Sequence, residues 1–223
     1  MGMEDDTLVI ITADHGETLY EHDCYFDHHG MYDCTLVVPL IIKFPGRVPA
    51  GKRVSDVTVI SDVMPTVLDL LEIPVETKFD GRSLRKTIAG EERNRISEFY
   101  ITECTWMRKH GWRTPEWKLI RALEPDFHFK PEVELYNLIL DPEENHNVAE
   151  QEPDVVALLT KRMEDHIARR EQETQRVNPI YTNLNWHGTG KKFTSSQEVY
   201  DSLHIGSIKK ARSLQAKEKA ESR

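Results

Sequence analysis

Two rhythms of apolar and polar positions run through this chain. Leu8-Val9-Ile10-Ile11 is an unbroken apolar block, mostly β-branched, and Asp14, His15 and Gly16 follow closely. A short block without polar interruption predicts a strand buried on both faces, as in parallel α/β sheets. Ligands of such sheets bind beyond the carboxyl ends of the strands, where Asp14 and His15 leave this one. Gly16 permits a sharp turn there. A plain polar loop reads the same way, since Asp and Gly are ordinary loop residues. A second block, Thr35 to Phe44, predicts another buried strand closed by Pro45-Gly46. Pro39 has no amide to donate and marks an entry point or irregularity within it. Val57 to Ile60 reads as a further short strand.

The rhythm then turns helical. Ser61 and Asp62 stand where they can cap a helix to about Glu72, with Pro65 in its first turn. Val63, Met64, Val67, Leu68, Leu70 and Leu71 form its apolar face. Asp80-Gly81-Arg82-Ser83 predicts a turn, with Ser83 capping a short helix to Ala89. After residue 92 the pattern becomes antiparallel β: Ser97–Cys104, Met107–Arg113, Trp117–Ala122 and Glu134–Leu138. A helix follows from Pro153 to about Arg170, with Val155, Val156, Leu159, Met163 and Ile167 on one stripe. The expected organisation is an α/β part over 1–92, an antiparallel sheet with a helix over 93–170, and a polar extension over 171–223.

Composition narrows the class. The 223 residues are 39% hydrophobic and 30% charged, which suits one or two domains with a real core. A net charge of -9 and a pI near 5.6 argue against nucleic acid as a partner. No run approaches a membrane span and no signal-peptide pattern is present, so no membrane partner is expected. Nothing points to a compartment. Cys24, Cys34 and Cys104 form an odd set without CxxC spacing, which argues against a disulfide framework. A doubly buried strand so soon after Met1 needs neighbours, so earlier βα units are expected upstream.

Histidine placement adds candidate chemistry. Four of the ten histidines, His15, His22, His28 and His29, fall between residues 15 and 29, interleaved with Asp14, Glu21, Asp23, Cys24 and Asp27. This is either a solvated polar loop or a ligand-bearing one. His15, His22, Cys24 and His28 have the donor types of a zinc site, without a recognised zinc spacing.

Thr12-Ala13-Asp14-His15-Gly16-Glu17, then Phe26-Asp27-His28-His29-Gly30-Met31-Tyr32-Asp33, then Val38-Pro39-Leu40-Ile41, resemble the sulfatase family of the alkaline phosphatase superfamily. Ser61 to Leu68 and Asp80-Gly81-Arg82-Ser83-Leu84 resemble the helix and turn that follow. Glu116 to Ile120, Glu134 to Leu138 and Asp141-Pro142-Glu143-Glu144 with Asn147 resemble the C-terminal sulfatase subdomain. The resemblance covers roughly residues 7–170, and its strength lies in the order of many weak pieces. It implies an α/β fold: the late strands of an alkaline phosphatase-like, parallel-rich sheet plus a small C-terminal antiparallel sheet and helix.

The resemblance implies hydrolysis of sulfate esters or sulfamates on a sulfated small molecule or carbohydrate. It assigns Asp14 and His15 to a divalent cation, and His28, or His29 beside it, to a sulfate oxygen or the leaving group. Calcium is the family's ion; an imidazole ligand at His15 leaves manganese or zinc open as well. The family's formylglycine nucleophile arises from a Cys/Ser-x-Pro/Ala-x-Arg motif, which this chain lacks. Cys104-Thr105-Trp106-Met107-Arg108 has the Arg but Trp at the Pro/Ala position, and the early Asp-Asp metal pair is absent too. The formylglycine is therefore expected in a missing N-terminal half of the catalytic domain, itself an expected partner, and this chain alone is expected to be inactive. Two alternatives stay open: a phosphodiester or phosphonate hydrolase of the same superfamily, and a non-catalytic truncated product.

Overall fold

A computed structural model describes residues 2–19, 21–24, 28, 30–93, 97–104, 108–124 and 130–182. The chain forms two compact units, each discontinuous in sequence. One comprises Met1–Gly16 and Leu36–Ser97, the other Glu17–Thr35 and Glu98–Arg223.

In the first unit, β1 (Val9–Thr12) pairs antiparallel with β2 (Leu40–Lys43), from Val9 opposite Lys43 to Thr12 opposite Leu40. The strand expected over Thr35–Phe44 is therefore shorter. Asp33–Leu36 forms one helical turn, α1, and pairing begins only after Pro39. The missing proline amide accounts for that limit. The expectation that Leu8–Ile11 is buried on both faces is also corrected: Val9 is 39% exposed and Ile11 and Ile41 are each 56% exposed. An apolar run records that both faces suit apolar cover, and says nothing of which segment supplies it.

Helices α2 (Val63–Leu70) and α3 (Arg85–Ala89) complete this unit. The strand expected over Val57–Ile60 does not form; Ile60–Asp62 is a 3-10 turn leading into α2. Ser61 does not cap α2. Asp62, fully buried, accepts the Val59 amide at 3.2 Å and the Arg82 amide at 3.0 Å. Gly81 lies so close that a Cβ would stand 2.0 Å from the Ser61 carbonyl oxygen. Ser83 does not occupy the N-cap of α3, which is Leu84; it stands one residue earlier, accepting the Arg85 amide at 3.2 Å while donating to Asp69 at 2.5 Å. The two motifs thus form one clasp that fixes α3 against α2.

The second unit is built on a four-stranded antiparallel sheet in the order β3 (Phe99–Cys104), β4 (Arg108–Arg113), β5 (Trp117–Ala122), β6 (Val133–Asn137). All four predicted strands are present. Alternation along each strand sends side chains to opposite faces. Trp112, Leu119 and Leu135 meet Leu159, Met163 and Ile167 of α4 (Pro153–Thr174). These helical residues recur every fourth position, and each buried side chain contributes about 1.5–3 kcal/mol. Glu98 ties helix to sheet by accepting from Trp112 Nε1 at 2.8 Å and Arg162 at 2.7 Å. A single turn, α5 (Pro179–Thr182), follows, with Ile180 buried. Among the described residues no helix is long and apolar enough to cross a membrane.

The other face of the sheet packs Ile101, Ile120 and Tyr136 against Cys24, Met31 and Tyr32 of the early segment. Charges are buried here too. Lys118, fully buried, meets Asp33 at 2.5 Å and Glu144 at 2.6 Å. Arg113 reaches Asp33 at 3.0 Å, and Glu144 also accepts the Asp33 amide at 2.6 Å. Beside this cluster Glu134, 1% exposed, accepts the Tyr32 and Tyr136 hydroxyls at 2.7 Å each, with Lys109 at 3.4 Å. Burial pushes both phenols up, and Glu134 reinforces the shift, so they remain donors. Burial pushes Asp33 up as well, but the Arg113 and Lys118 cations outweigh it and hold its carboxyl below the usual range.

Two outcomes test this account. Truncation of Lys118 leaves the buried Glu144 carboxylate without its cation and Asp33 with Arg113 alone, so Lys118→Ala should lower the unfolding free energy by about 3–5 kcal/mol in urea titration. His110, buried at β4, has its pKa lowered from 6.5 to about 4, by burial first and by Arg121 second. Its contribution is fully present above pH 6.5 and is lost as pH falls from 6.5 towards 4, because the unfolded chain takes up a proton that the folded one refuses. The urea midpoint should fall across that window less steeply in His110→Gln than in the parent.

Candidate functional site

In the first unit, β1 ends at Thr12 and its backbone turns through Ala13-Asp14-His15-Gly16. Asp14 accepts the His15 amide at 3.0 Å through Oδ1. The His15 ring places Nδ1 2.7 Å from the Gly16 carbonyl oxygen, which makes Nδ1 the protonated nitrogen. Nε2 then carries the lone pair, 3.7 Å from Asp14 Oδ2. Two acceptors stand side by side, on side chains 43% and 88% exposed. A cation about 2.0–2.6 Å from each can bridge that separation. Fixing a ligating imidazole through its other nitrogen to a backbone carbonyl is also usual at metal sites. The donor set therefore fits a divalent cation as half of a coordination shell.

The histidine-dense segment belongs to the second unit, and its members divide by environment. His22 lies stacked on the Tyr32 ring, centroids 3.7 Å apart and planes within 11°. Its pKa is lowered, by burial first and then by Lys130. Cys24 is buried, and its thiol donates to the His22 carbonyl at 3.5 Å. Packing uses both, which removes them from the zinc set considered above. His28 is exposed, and Glu17 offers a carboxylate oxygen within 4.8 Å of an imidazole nitrogen of His28. His29 lies outside the described residues.

What holds the segment is a row of anchors to the sheet. Gly30 donates its amide to Glu103 at 2.9 Å, and its carbonyl accepts the Thr35 hydroxyl at 2.7 Å. Tyr32 is fixed through Glu134, and Asp33 through Lys118, Arg113 and Glu144. Sequence reasoning missed this machinery, along with Glu17. A signal existed: Lys109, Lys118 and Glu134 interrupt apolar strands at positions that alternation sends inward.

Residues 20–173 match the family model described as N-sulphoglucosamine sulphohydrolase, C-terminal. Arylsulfatase K of Bos taurus is 29% identical over 219 residues, covering 84% of this chain and 39% of the relative. An N-acetylglucosamine-6-O-sulfatase of Bacteroides thetaiotaomicron is 31% identical over 160 residues, covering 66% of this chain and 27% of that protein. The chain thus spans well under half the length of these relatives. A solved structure of a protein in complex with its substrate, D-glucosamine-2-N,6-O-disulfate, superposes with a TM-score of 0.66 at 25% identity, covering 81% of this chain and 37% of that one. The phosphonate monoester hydrolase of Agrobacterium radiobacter shares the fold, with a TM-score of 0.62 at 24% identity over 86% of this chain and 40% of that chain. The α/β class expected from the sequence agrees with these neighbours. With its match spanning both the histidine segment and the sheet-and-helix unit, the chain belongs to the sulfatase family and corresponds to the C-terminal region of its members.

Proposed function

We propose that this chain supplies the late portion of a sulfatase active site, for hydrolysis of a sulfate ester or sulfamate on a carbohydrate. The observation that carries the reading is the Asp14–His15 pair, two acceptors 3.7 Å apart at the end of a strand in a chain of this family. Support for a sugar substrate comes from the neighbour held with its disulfated glucosamine and from the relative named for N-acetylglucosamine 6-sulfate.

Asp14 and His15 would hold a divalent cation, calcium by family, with manganese or zinc also suited to the imidazole. Such an ion supplies positive charge to the sulfate group and favours an ionised nucleophile. The formylglycine nucleophile would come from the N-terminal half that the longer relatives possess. His28 would contact a sulfate oxygen, or protonate the departing oxygen when it carries a proton itself. Hydrolysis moves negative charge onto that oxygen, so a donor aimed at it lowers the barrier.

Calcium and manganese titrated calorimetrically into this chain should bind weakly, and Asp14→Ala should abolish the heat without altering the circular dichroism. Equal binding by that variant would overturn the ligand assignment. The 223-residue chain alone should leave 4-nitrocatechol sulfate unhydrolysed, and turnover by it would refute the division of the active site.

A further inference from the structure

We propose that Glu103 is a positioning residue that sets where the His28 imidazole stands; its catalytic meaning rests on the role given to His28 above. Gly30, two positions after His28, is fixed at both ends. Its amide donates to Glu103 Oε2 at 2.9 Å, and its carbonyl accepts the Thr35 hydroxyl at 2.7 Å. Its φ of +94° belongs to glycine, and a Cβ would lie 2.9 Å from the Tyr32 ring. That ring is 1% exposed, stacked by His22 and bonded through its hydroxyl to Glu134, so it cannot yield cheaply. The backbone at Gly30, two residues from His28, is therefore held to one conformation.

Among the described anchors of this segment, Glu103 acts nearest in sequence to His28. The others grip Tyr32, Asp33 and the Gly30 carbonyl. Glu103 also differs from them in setting. Lys118, Glu134 and Glu144 are buried in the centre of the unit, whereas Glu103 is half-buried near the end of the outermost strand, β3. A carboxylate accepting a backbone amide makes a stronger bond than a neutral acceptor would. Without it, Gly30 keeps only its carbonyl anchor, and the fixed point two residues after His28 is loosened. A displacement of about 1 Å at a reacting group can cost on the order of 100-fold in rate.

The test uses the full-length enzyme with ring-labelled histidine, the His28 resonance being assigned by its disappearance in His28→Ala. Glu103→Ala should move that resonance and lower kcat by about 10–100-fold while changing KM much less. Glu103→Asp keeps the charge but shortens the reach, and should behave like Glu103→Ala. Glu103→Gln keeps an acceptor at the right length and should restore most of both readouts. Should Glu103→Ala fail to fold, the Asp and Gln variants decide the matter. An unmoved His28 resonance in the shortened variants, or equal losses in Asp and Gln, would overturn the proposal. Normal turnover by His28→Ala with a moved resonance in Glu103→Asp would remove the catalytic role of His28 and leave its placement by Glu103 standing.

Discussion

The second unit depends on Lys118. One ammonium, wholly buried, sits between Asp33 from the early segment and Glu144 from the turn after β6. Burying any of these charges alone is costly, and Lys118 offsets part of that cost by meeting both carboxylates. The apolar part of the core does not specify where residues 17–35 lie on the sheet, because Met31 could contact many aliphatic surfaces. The ionic part does. Asp33 reaches Lys118 and Arg113 only in one register, and Tyr32 reaches Glu134 only beside it. Specificity on this face comes from charge, while α4 on the opposite face contributes area.

That division explains what was legible in the sequence. Strands β3 to β6 and α4 were readable because a single face or stripe announces each, as with Leu159, Met163 and Ile167 on the helix. The predicted end of α4 near Arg170 fell short of Thr174 because the apolar stripe stops at Ile167, while helix-compatible polar residues carry on. The first unit was harder. Leu8–Ile11 advertised a doubly buried strand, and its pairing with β2 proved antiparallel and exposed. Ser61 looked like a cap, but Asp62, bound to an amide twenty residues later, is the group that matters. Contacts of that kind have no local signature.

The candidate site was legible in residue type more than in arrangement. Asp14 and His15 were recognisable from their place after a strand, and the structure adds the tautomer that presents His15 Nε2 beside a carboxylate oxygen. In the histidine-rich loop residue type alone gave His22 and His28 the same standing as possible ligands. Packing separates them: His22 becomes an aromatic cover for Tyr32, while His28 stays exposed near Glu17. Spacing alone could not make that distinction, because stacking depends on Tyr32 having first been fixed from below.

The Asp33 amide and the Glu144 carboxylate that binds it are 111 residues apart in the chain, and the whole first unit's later portion, Leu36–Ser97, is threaded between them. Closing so long a loop is entropically costly, and nothing local helps to nucleate it. During synthesis the histidine segment therefore gains its first strand anchor when Glu103 of β3 has emerged and its last when the turn after β6 has. The order of its residues becomes a late event, which couples assembly of His28's surroundings to completion of the sheet. A chain stopped before Glu144 would keep the Glu103, Arg113 and Glu134 anchors and lose the one that joins the Asp33 amide to Lys118.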